Sequence, residues 1–73
     1  GNYRDVKIKV AIYKNHHSKE LYKRIEEEEN YINGTPTKLT IQLYYSKEDS
    51  REGREPYTTI SIGYENNTYE IIH

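Results

Sequence analysis

Residues 60–73 read Ile60-Ser61-Ile62-Gly63-Tyr64-Glu65-Asn66-Asn67-Thr68-Tyr69-Glu70-Ile71-Ile72-His73, and the rest of the chain is organised around them. Two runs of alternating side chains flank Asn66-Asn67. Only Gly, Asn and Asp readily take positive φ at both central positions of a type I′ turn, so this pair predicts a two-residue hairpin. That register sets Tyr64 opposite Tyr69, Ile62 opposite Ile71 and Ile60 opposite His73. A four-residue loop from Glu65 to Thr68 keeps the same pairs. The six residues share one face, and Thr59, Ser61, Gly63, Glu70 and Ile72 take the other, because side chains alternate along a strand.

The same period of two recurs upstream. From Tyr3, the side chains of Val6, Ile8, Val10 and Ile12 alternate with Asp5, Lys7, Lys9, Ala11 and Tyr13, which predicts a half-buried first strand. Thr37 to Ser46 predicts a second, with Leu39, Ile41, Leu43 and Tyr45 inward and Lys38, Thr40, Gln42 and Tyr44 outward. Tyr57 to Tyr64 opens the terminal hairpin.

Between the first two strands the period changes. Ser18 is the expected N-cap of a helix from Lys19 to about Ile32, with Leu21, Tyr22, Ile25 and Ile32 as a narrow apolar stripe. Asn33-Gly34 ends it, Gly34 being suited to the left-handed C′ position, and Thr35-Pro36 opposes continuation. Lys47 to Pro56 has no periodicity and reads as a mobile loop.

The order β-α-β-β-β predicts a single α+β domain over residues 1–73: one four-stranded sheet with one helix packed on one face. A regular crossover helix makes the first two strands parallel. An oblique helix permits an all-antiparallel sheet, and the pattern of residues leaves both open.

Composition sets limits on function. Nine Tyr stand beside no Phe, Trp, Met or Cys. The aliphatic set is too small to carry the fold alone, so ladders and Tyr packing, or a partner chain, must supply the rest. Without cysteine there is no disulfide, thiolate metal site or thiol nucleophile. No run of residues has the length and hydropathy of a membrane span or signal-peptide core, so a soluble cytoplasmic chain without membrane contact is expected. Gly1 in the initiator position is expected to reflect trimming, and His73 either faces the core side of the hairpin or belongs to a purification tag. The glycan-acceptor patterns at Asn33 and Asn66 are read as coincidence in so polar a chain.

No cofactor, metal or catalytic residue is expected. His16-His17 are neighbours whose side chains point apart, and no Gly-rich phosphate loop, nucleophile motif or convergent carboxylate pair occurs. Two candidate partner-binding surfaces emerge instead. Glu26, Glu27, Glu28 and Glu29 fill the second half of the helix, where its dipole disfavours negative charge. Proteins often break local rules at functional sites, so this block is a candidate contact for a basic partner surface. The sheet face away from the helix presents Tyr13, Tyr44, Tyr57 and Ile72, whose rigid amphipathic area suits protein contact or self-association.

The expected function is a small non-catalytic binding protein acting by protein–protein contact, of the kind phages and mobile elements encode as inhibitors and regulators. One alternative is a single-stranded nucleic-acid module stacking bases on Tyr13 and Tyr44 beside Lys7, Lys9 and Lys38. A net charge of −1 argues against it. Another is a designed or structural scaffold without a natural ligand, which the unusual composition suggests.

Overall fold

The computed structural model describes residues 3–11 and 19–72. Ile12, Tyr13, His16, His17, Ser18 and His73, to which expectations attach above, lie outside the described residues. The elements run β1 (Asp5–Ala11), α1 (Lys19–Asn33), β2 (Lys38–Tyr44), α2 (Lys47–Arg51), β3 (Thr58–Gly63) and β4 (Thr68–Ile72). They form one four-stranded mixed sheet in the spatial order β1-β2-β3-β4, an α+β fold with one main helix.

β1 and β2 are parallel, with Asp5 beside Lys38 and Ala11 beside Tyr44, and the two later pairings are antiparallel. This resolves the choice left open by the sequence. Fifteen helical residues rise about 22 Å, which matches the roughly 23 Å of a seven-residue strand. α1 is therefore long enough to carry the chain back to the level at which β1 began. Arg4 pins that return. Its backbone carbonyl accepts from Thr37 N at 2.9 Å, its N–H donates to Thr37 Oγ1 at 3.1 Å, and its guanidinium donates to the Gly34 carbonyl. Gly34 takes φ +80° and donates its N–H to the Asn30 carbonyl at 2.9 Å, ending the helix as its residue type predicts.

The alternation of apolar side chains builds the core. Leu39, Ile41, Leu43, Ile60 and Ile62 are buried, with Val6, Ile8, Val10, Tyr22, Ile25, Tyr57 and Tyr64 packed against them. The central strands supply the buried set because neighbours cover them on both sides as well as from α1. No residue of α1 itself is fully buried. Ile32, expected in its apolar stripe, is 65% exposed.

The terminal hairpin keeps its faces but not its register. Ile62 lies opposite Tyr69 and Ile60 opposite Ile71, an offset of two residues from the pairs expected. An even offset preserves which side chains share a face. The cause lies in the turn. Of this pair Asn67 alone takes a positive φ (53°), so the type I′ turn across Asn66-Asn67 does not form. Residues 64–67 make the connection instead. Tyr64 leaves the β3–β4 ladder and donates its N–H to the Thr37 carbonyl at 3.0 Å.

Within Lys47–Pro56, expected as a loop, the structure places a one-turn helix. Ser46 is its N-cap, with extended backbone and an Oγ that accepts from Asp49 N at 3.1 Å. Arg54 closes the segment on itself, 3.0 Å from Glu52 and 3.7 Å from Asp49. This segment packs against β1 and β2. Lys9 Nζ reaches the Ser50 carbonyl at 3.5 Å, which places α2 over the sheet face away from α1.

Candidate interaction surface

The covered half of that second face changes the standing of its aromatic residues. Tyr44 points away from α1 as expected, yet it is only 3% exposed. It lines a depression of about 470 Å³ whose other walls include Gln42, Gly53, Arg54 and Pro56. A base has no access to a ring so placed. Tyr45, expected inward, is 44% exposed, because β2 ends at Tyr44 and the chain turns there toward α2. Tyr57, expected on the open face, precedes β3 and packs against the core cluster instead. Its ring stacks on Tyr45 with centroids 4.1 Å apart and planes 10° apart. Burial, and then Tyr45, raise the Tyr57 hydroxyl pKa above its ordinary value.

The four glutamates diverge around the helix. Glu26 turns toward the sheet and accepts a hydrogen bond from the Tyr64 hydroxyl at 2.7 Å, while Asn30 Nδ2 donates to the same hydroxyl at 3.0 Å. The Tyr64 pKa is pushed up to about 12, chiefly by burial and also by Glu26 and Tyr69, with the Asn30 hydrogen bond acting in the opposite direction. Glu29 is half-buried and accepts from Asn33 Nδ2 at 2.9 Å. Glu27 and Glu28 remain exposed. The acidic block is thus two solvent-facing carboxylates and two that serve the fold.

The apolar surface lies elsewhere, on β4. All five of its residues are exposed, unlike those of any other strand. Tyr69 (43%) and Ile71 (41%) stand on the α1 face, and Ile72 (55%) on the other. Ile72 was expected as a contact residue. Tyr69 and Ile71 were expected beneath the helix, and the structure leaves them at its margin. Geometry supplies the reason, and the sequence carried the signal. A helix is about 10 Å across, whereas four strands at about 4.8 Å spacing span roughly 14 Å between their outer axes. One helix cannot cover four strands. Burial, with Tyr22 and Glu26 nearby, still raises the Tyr69 pKa, as befits a ring at the edge of the helix's cover.

The opposite edge of the sheet shows the same shortfall. Ile8, Ile25 and Ile32, with Glu28 and Glu29, line a cleft of about 200 Å³ between α1 and β1. Lys7 and Lys9 are exposed on the other face of that strand. Among the described residues, no group of three or more His, Cys, Asp or Glu side chains is placed to hold a metal ion, and no helix is long and apolar enough to cross a membrane. No protein-family model, curated protein or solved structure matches the chain.

Proposed function

We propose that this chain is a small non-catalytic binding protein that works by protein–protein contact, with the β4 edge as its contact surface. One observation carries the reading: β4 is an edge strand with apolar side chains exposed on both faces. An edge offers a row of outward backbone N–H and C=O groups, a template for another chain, and proteins usually blunt it with Lys, Pro or a covering loop. Here Thr68-Tyr69-Glu70-Ile71-Ile72 contains neither Lys nor Pro. Completing the burial of Ile71 and Ile72, each about half exposed, adds roughly 1 kcal/mol apiece on contact, alongside the new ladder hydrogen bonds.

The test is capture of partners from source-cell lysate on immobilised wild-type protein and on an Ile72→Lys variant shown to be folded by circular dichroism. Ile72 is 55% exposed, so Lys is accommodated without disturbing the core. A protein retained by the wild type and lost with Ile72→Lys is the expected result. Equal retention on both overturns the assignment of the edge.

A further inference from the structure

Resting on the β4 reading, we propose that the partner is a second copy of this chain, with β4 of one copy pairing in parallel with β1 of the next. The pairings determine strand direction. β2 runs with β1, β3 against β2 and β4 against β3, so β4 and β1 point the same way at opposite edges of one sheet. A neighbour in the same orientation continues the sheet with its α1 face on the same side.

The side chains at the two edges complement one another along the existing rows. One row runs Lys7–Thr40–Ser61–Glu70, with exposed charges of opposite sign at its ends. The next runs Ile8–Ile41–Ile60–Ile71. Extending them sets Glu70 beside Lys7 of the neighbour, and Ile71 beside the Ile8 that floors the cleft under Ile25 and Ile32. A slip of two residues sets Glu70 beside Lys9 and preserves both faces, so the charge match tolerates either register. The two-fold alternatives lack it. Antiparallel β4–β4 pairing centred on Glu70 opposes two Glu70 side chains, and centred on Tyr69 or Ile71 it sets Glu70 against Thr68 or Ile72 with no opposite charge to meet; antiparallel β1–β1 pairing centred on Ile8 sets Lys7 against Lys9. Like charges directly across a ladder are destabilising.

An edge that binds the opposite edge is a heterologous contact, which yields rings or open chains of copies rather than a closed dimer. Sedimentation or light scattering over a wide concentration range tests this on the full chain. The wild type is expected to form species larger than a dimer that grow with concentration. Glu70→Lys alone, and Lys7→Glu with Lys9→Glu, should each weaken association roughly tenfold by turning attraction into repulsion. Combining all three changes in one chain should restore it, and so should mixing the two weakened variants, which requires no triple variant to fold. A wild type that remains a single copy at its highest soluble concentration overturns self-pairing but leaves β4 as a surface for another protein, which the capture experiment judges separately. Association untouched by the two lysine changes overturns the head-to-tail arrangement, because β1 then takes no part in the contact. Failure of both rescues overturns it as well.

Discussion

Replacing Tyr64 with Phe removes a single hydroxyl from the joint between α1 and the sheet. In the native protein that hydroxyl donates to Glu26 at 2.7 Å and accepts from Asn30 at 3.0 Å. A hydrogen bond to a charged acceptor contributes about 1.5–3 kcal/mol, and the lower end applies because Glu26 is only half-buried and regains water when the hydroxyl goes. Asn30 fares worse. Its Oδ1 is already buried without a hydrogen-bond partner among the described residues, so losing Tyr64 strands the whole amide. Together these give a loss of about 2 kcal/mol, or a fall in Tm of roughly 8–16 °C for a domain of this size. Urea denaturation followed by circular dichroism measures it, with Tyr31→Phe as control because Tyr31 is 91% exposed. A double-mutant cycle with Glu26→Ala should return a coupling of about 1 kcal/mol or more. A Tyr64→Phe loss below about 0.5 kcal/mol, equal to an ordinary surface change, refutes the account of this joint.

Three further outcomes follow from the same geometry. Because Tyr64 ionises near pH 12 in the folded chain but near its ordinary value of 10.0 when unfolded, its contribution is complete below pH 10 and lost as pH rises through 12. Tyr57 and Tyr69 are raised as well, so the urea midpoint should fall above pH 10, and less steeply in Tyr64→Phe. Gly34→Ala should cost about 1–2 kcal/mol, since a Cβ at φ +80° is strained although its nearest neighbour is 4.0 Å away; Gly34→Asn, better suited to that region, should cost measurably less. At Gly63 the objection is space. An added Cβ would lie 2.5 Å from Thr68 Oγ1 and 2.6 Å from Asn66 Oδ1, so these exposed side chains must turn aside and give up their mutual hydrogen bond, and Gly63→Ala should lose about 0.5–1.5 kcal/mol in the same denaturation assay.

How far the site was legible differs from residue to residue. Ile72 was assigned correctly to an outward face, because a period of two survives an even slip of register. Tyr44 was placed on the correct face, but its burial came from a segment that showed no periodicity. A local signal for α2 did exist: Ser46, followed three residues later by Asp49, is the pattern of a helix N-terminus. A single turn is too short to impose a hydrophobic period, so only the cap announced it. Glu26 and Glu29 resembled Glu27 and Glu28 in the sequence, and their hydrogen bonds to Tyr64 and Asn33 set them apart.

By itself the sequence determined which side chains of β1–β4 share the α1 face and which share the other. The alternation of Val6, Ile8 and Val10, of Leu39, Ile41 and Leu43, and of Ile60 and Ile62 dictated one buried face, and Gly34 dictated where the helix stops. Tertiary structure decided the direction of β1 against β2, the register of the last hairpin and which apolar residues lie beyond the helix's reach. The physical reason is one of range. Alternation and caps are settled between residues a few positions apart, whereas direction, register and cover depend on where Arg4 meets Gly34 and Thr37, where Tyr64 meets Glu26, and how wide a sheet one helix can shield.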